Sequence, residues 1–125
     1  MHVLVADGHT QVRWALRTAI KEAFDLVVID EALDAQTLLA QARILEPDLV
    51  LLEWELPGLP VGPALVAALH ALTPGCRVAV LSRLPEARQA ALAAGADLFV
   101  SKSAAPQQLL AALRTLMEPG APAFA

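Results

Sequence analysis

Short apolar runs alternate along this chain with longer segments of helical period, an alternation that dictates parallel strands joined by helices. The runs are His2–Ala6, Leu26–Ile29, Leu49–Glu53, Arg77–Ser82 and Asp97–Val100. Unbroken hydrophobicity in Leu49–Leu52 places that strand where both faces of the sheet are covered. Between the runs, Val12, Leu16, Ala19, Ile20 and Ala23 recur at intervals of three and four, giving the first helix one apolar stripe. Asp34 is a candidate N-cap for a second helix with Leu38, Leu39, Ala42 and Leu45 inward, stopped by Pro47. Pro63 suits the first turn of a third, which runs to about Leu72. A fourth spans about Pro85 to Ala94 and closes on Gly95 as a left-handed cap. The fifth, about Pro106 to Met117, turns Leu109, Leu110, Leu113 and Leu116 inward.

Right-handed crossovers and helices on both sides predict an α/β fold of three layers, α/β/α. It is a doubly wound parallel (βα)5 sheet with the flavodoxin-like strand order 2-1-3-4-5. A chain of 125 residues fits one domain that buries roughly two-thirds of its unfolded surface. The expected domain is 1–118, and Pro119–Ala125 has linker composition. Hydrophobic residues at 57% against 18% charged exclude a disordered chain. The net charge of −4 is spread over interspersed acids and bases, so direct nucleic-acid binding by this segment is not expected. Cys76 stands alone, which excludes an internal disulfide or a cysteine metal cluster and suits a reducing cytoplasm. The apolar start Val3–Ala6 lacks a basic leader and is far shorter than a membrane span, so a soluble cytoplasmic protein away from the membrane is expected.

In such a sheet the C-terminal strand ends gather at one edge, where ligands bind. Asp7, Glu53, Ser82 and Lys102 each fall at or just beyond a strand end and are predicted to converge there. Singly, Asp7 reads as a turn or cap, Ser82 as a strand-end hydroxyl bonded to backbone, and Lys102 as a solvated loop lysine. Their joint placement carries the inference. His2, His9 and His70 lie on different elements without ligand spacing, so no histidine metal site is expected, with His9 at the rim of the strand-end site. Trp54 reads as a packing residue, and Trp14 falls off the first helix's apolar stripe toward solvent. No GxxxxGK, GxGxxG or GxSxG motif occurs, which removes the usual signatures of nucleotide hydrolysis, dinucleotide chemistry and serine hydrolysis.

The stretch PDLVLLEWELPG from Pro47 to Gly58, together with Val3–Asp7 and Ser101-Lys102-Ser103, resembles the receiver domain of bacterial response regulators. The resemblance implies an acidic pair after the first strand and an aspartate ending the third that hold Mg²⁺, the latter accepting a phosphoryl group from a histidine kinase. It also implies a hydroxyl and a lysine, ending the fourth and fifth strands, that sense the phosphate. Asp7 matches the first acid, Ser82 the hydroxyl, Lys102 the lysine, and Phe99 the aromatic that swings on activation. Two positions depart. Gly8 stands where the second acid belongs, and Glu53 stands at the phosphoacceptor position. Mg²⁺ prefers octahedral oxygen coordination, so losing a carboxylate leaves at most weak binding at Asp7, Glu53 and Glu55. The extra methylene moves the Glu53 carboxylate forward by about 1.5 Å, a displacement that costs roughly 100-fold in a positioned reaction. The same reach lets Glu53 pair with Lys102, either mimicking the phosphorylated state or marking a retired site.

The resemblance thus implies an atypical receiver, or pseudo-receiver, without enzymatic activity. It would act in signal transduction or transcription control as a phosphorylation-independent interaction module. The fourth helix, fifth strand and fifth helix, near Leu92, Ala93, Leu109 and Ala112, are the expected dimer or partner face. The resemblance allows equally a DNA-binding effector domain beyond residue 125 and a free-standing single domain. Two alternatives stand beside this: a receiver that still accepts phosphate with weak Mg²⁺, and a small-ligand sensor at the strand-end pocket. The stretch from Ser82 to Gly95 is shorter than its family counterpart, and Pro85 stiffens it.

Overall fold

The computed structural model describes residues 1–118; the expected tail, 119–125, lies outside the described residues. The elements run β1 His2–Ala6, α1 Thr10–Ala23, β2 Val28–Ala32, α2 Ala35–Leu45, β3 Leu49–Glu53, α3 Gly62–Leu72, β4 Arg77–Ser82, α4 Ala87–Ala93, β5 Leu98–Ser101 and α5 Pro106–Leu116. The five strands form one parallel sheet in the order β2-β1-β3-β4-β5. This is the doubly wound, flavodoxin-like order expected from the alternating pattern. Every residue of β3 is buried, as its unbroken hydrophobicity requires of a central strand.

Alternation along the strands divides the core into two layers. On one face, Leu4, Val50, Leu52, Val78, Val80 and Phe99 pack with Leu38 and Ala42 of α2, Leu65 and Leu69 of α3, and Ala87 and Ala91 of α4. On the other, Val3, Val5, Leu51, Ala79 and Leu81 meet Ile20 of α1 and Leu109, Leu113 and Leu116 of α5. Among the described residues no helix is long and apolar enough to cross a membrane.

Three boundaries depart from the sequence pattern. The second strand begins at Val28, not Leu26, and extends through Asp30 and Glu31. Leu26 is 94% exposed and sits in a turn with φ 50°. Hydropathy failed here because β2 is the sheet edge, where charged residues join the ladder once their carboxylates are held: Asp30 by His2 Nε2 at 2.6 Å, Glu31 by Arg13 at 3.0 Å and Arg17 at 3.4 Å. The fourth helix starts at Ala87, two residues after the expected Pro85, because Leu84–Arg88 is taken up by turn bonds from the Ala87 N–H to Leu84 and from the Arg88 N–H to Pro85. The last strand is shifted by one residue, to Leu98–Ser101. The expected Gly95 cap is present: Gly95 takes φ 107°, its N–H reaches the Leu92 carbonyl, and the Ala96 N–H reaches that of Ala91. This paired closure satisfies two carbonyls that the helix end would leave bare.

Candidate functional site

β1, β3 and β5 deliver their ends to one point. Asp7 follows the last residue of β1, and its N–H is tied to the Ala32 carbonyl at 3.1 Å. Glu53 closes β3 and is 5% exposed, and Lys102 follows β5 with 10% of its side chain exposed. The Lys102 Nζ lies 2.8 Å from Asp7 Oδ2 and 3.2 Å from Glu53 Oε1. The Gly8 N–H donates to Glu53 Oε2 at 2.9 Å. The carboxylates therefore share one ammonium inside a largely buried pocket. Burial alone would raise the Asp7 carboxyl, but Lys102, the His9 N–H, Glu53 and the His9 ring outweigh it and hold the group below the usual aspartate range.

His9 lies at the rim as expected, lining the cavity mouth, and its polar atoms also join this cluster. Its N–H donates to Asp7 Oδ1 at 2.9 Å, and its Nδ1 lies 2.9 Å from the same oxygen and 3.7 Å from Glu53 Oε1. The ring stays largely exposed, but the Asp7-Gly8 turn sets its Nδ1 edge against Asp7, a local backbone effect that helix or strand periodicity does not register. Arg13 braces the same turn by donating from Nη1 to the Asp7 carbonyl at 2.8 Å.

Ser82 is buried at the end of β4, but its hydroxyl donates to Glu55 Oε1 at 2.7 Å and accepts the Leu84 N–H at 3.0 Å. Glu55, expected beside Asp7 and Glu53 as a weak Mg²⁺ position, accepts the Ser82 hydroxyl with Oε1. Among the described residues, Asp7, His9 and Glu53 bring potential ligand atoms within 4.8 Å of one another. Phe99 is buried in the layer that contains α4. Trp54 packs as expected, its ring against Gly62, where an added Cβ would stand 3.3 Å from it. Trp14 is 68% exposed, off the α1 stripe as predicted. A cavity of about 330 Å³ opens over the cluster, lined by His9, Glu53, Glu55, Arg83, Leu84 and Lys102.

These residues do not fit Mg²⁺. Gly8 offers an N–H to Glu53 in place of a carboxylate, and an ammonium already bridges the two remaining acids. A Cβ at Gly8 would lie 3.1 Å from the Pro57 ring, so an acid there requires that ring to move.

Fold and site together define a doubly wound domain with a charged cluster at its strand ends. The response regulator receiver domain family matches residues 3–114, and the chain belongs to it. It is a receiver domain of two-component signalling. The nitrate/nitrite response regulator protein NarL of Escherichia coli K12 is 32% identical over 113 residues, covering 89% of this chain and 52% of its own length. The chain therefore spans about half of that relative. Among solved structures, a LuxR family DNA-binding response regulator from Silicibacter pomeroyi aligns with TM-score 0.82 and 31% identity over 95% of this chain and 93% of that one. The isolated REC domain of RcsB from Salmonella enterica serovar Typhimurium, in the presence of phosphomimetic BeF3-, aligns with TM-score 0.86 and 26% identity over 99% and 91%.

Proposed function

We propose that this receiver holds its signalling state without aspartyl phosphorylation and acts as a protein-interaction module in transcription control. One observation carries the reading: the Lys102 ammonium lies within 3.2 Å of Glu53 and 2.8 Å of Asp7, supplying internally the positive charge that phosphoryl transfer would take from a metal. Glu53 stands in the phosphoacceptor position and Asp7 and Gly8 in the acidic pair. Ser82, Phe99 and Lys102 stand in the switch positions, with the Ser82 hydroxyl already committed to Glu55. A nucleophile clamped by an ammonium and a backbone N–H is poorly placed for in-line attack.

On this reading residues 1–118 form a non-enzymatic domain, and the face of α4, β5 and α5 receives a partner or a second copy. The likeness to a LuxR family DNA-binding response regulator supports a DNA-binding effector joined to this domain in the whole protein. Incubation with Mg²⁺ and a small phosphodonor, read by intact mass, tests the central claim. No phosphate adduct is expected. An adduct mapped to Glu53 or Glu55 overturns it.

A further inference from the structure

A second cavity, of about 340 Å³, opens between α1 and the start of α5, on the sheet face opposite α2, α3 and α4. Val12, Ala15, Leu16 and Ala19 recur at intervals of three and four along α1 and form one wall, with Leu81 of β4 and Leu109 of α5 lining the remainder. Protein interiors are packed without voids of this size. The space persists here because Ala15, Ala19 and Ala104 are too short to close it. None of its lining residues is aromatic, so a flat ring would find no stacking partner. Arg83 lines both this cavity and the one over the charged cluster, and among the described residues it forms no ion pair. Lys102 also borders both, but its ammonium is taken by Asp7 and Glu53. Glu55, which shares the cluster's cavity with Arg83, is engaged by Ser82. An aliphatic wall is thus joined to one uncommitted positive charge.

We propose that this cavity binds a small aliphatic monocarboxylate, with its hydrocarbon body between α1 and α5 and its carboxylate on the Arg83 guanidinium. A guanidinium meets a carboxylate through two parallel N–H···O bonds. One free cation also matches a single negative charge better than the nearly two charges of a phosphate monoester. At about 30 Å³ per water-sized group, the space holds on the order of ten methylene-sized groups, the size of octanoate. Pockets of this volume bind small molecules by the same combination of apolar lining and a few polar groups, and Gln11 and Ser101 add such groups here. The bound ligand would bridge α1 to the start of α5 beside Lys102. Neither Asp7 nor Glu53 lines the cavity, so the site stands whether or not the receiver accepts phosphate.

Calorimetric titration of the chain with butanoate, hexanoate, octanoate and uncharged octanamide tests the site. One octanoate per chain is expected, with each methylene beyond butanoate tightening binding about 3–4-fold. Octanamide, which lacks the charge-assisted bonds, should bind at least about 10-fold more weakly than octanoate. Arg83→Gln should weaken octanoate by about 10-fold or more and leave octanamide unchanged. Ala19→Leu fills the space and should weaken both compounds at least about 10-fold. Should that variant fail to fold, Ala15→Leu, at an exposed position on the same wall, supplies the readout. Absence of saturable octanoate binding, equal affinity for octanamide, or full octanoate affinity in Arg83→Gln or in the folded leucine variant overturns the proposal. One octanoate per two chains, with dimers in sedimentation, overturns it as well, since a second copy would then form the site.

Discussion

At the scale of single residues, the cluster turns on Lys102. Its ammonium neutralises two carboxylates that are almost fully buried, and removing it strands them. Breaking a buried pair from one side costs about 3–5 kcal/mol, so Lys102→Met should lower unfolding stability by that amount in urea titrations. A loss under about 1 kcal/mol would mean that the pair behaves like a solvated surface bridge. Much of this cluster was legible in the sequence, because Asp7, Glu53 and Lys102 each end a strand and strand ends of such a sheet meet. The parts played by His9 and Glu55 were not. Both lie in turns just past a strand, where side-chain direction follows local backbone dihedrals that neither hydropathy nor spacing encodes. The Ser82 position was legible too, but its commitment to Glu55 depends on how the loop after β3 folds back.

At the scale of elements, two features of α2 lend themselves to measurement. Its C-cap residue, Glu46, is held at φ 46°, a conformation that costs a non-glycine residue roughly 1–2 kcal/mol. Glu46→Gly relieves that strain and gives back part of the gain as unfolded-chain entropy. A net stabilisation of about 0.5–1 kcal/mol is expected in thermal melts, and a lower melting temperature would refute the account. At the other end, Asp34 accepts the Thr37 N–H at 2.8 Å, which draws its carboxyl below the usual aspartate range. Because the folded value is the lower one, the contribution is complete above the unfolded pKa and disappears as pH falls through the folded one. Asp34→Asn keeps a good cap and should flatten this acid limb of the stability profile, leaving neutral-pH stability near that of the parent. The helices were readable from their stripes and stop signals, and the covered strands from their unbroken hydropathy. β2 was misplaced because an edge strand accepts Asp30 and Glu31 when His2 and Arg13 meet their carboxylates, and a hydropathy run cannot register partners on another element.

At the scale of the whole molecule, the domain's stability should be indifferent to Mg²⁺. A ligand raises stability by RT ln(1 + [L]/Kd), and a pocket that lacks the second acid and holds its own ammonium gives millimolar Mg²⁺ little to bind. Melting curves with and without millimolar Mg²⁺ should superimpose, whereas a shift of several degrees would show that the missing acid is dispensable. The doubly wound order was legible because parallel crossovers leave few arrangements open. The tie between the loops was not, since it is made by the carboxylate of Glu55 and the hydroxyl of Ser82 across 27 positions of sequence.

That tie makes the charged cluster a junction. The linkers leading out of β1, β3, β4 and β5 all begin there, knotted by His9 to Asp7, Gly8 to Glu53, Glu55 to Ser82 and Lys102 to both acids. Each linker runs into a different helix, and those helices lie on opposite sides of the sheet. The roots of α1, α3, α4 and α5 thus share one small patch of side chains, and a partner on either flank of the sheet would rest on helices anchored at the same few atoms.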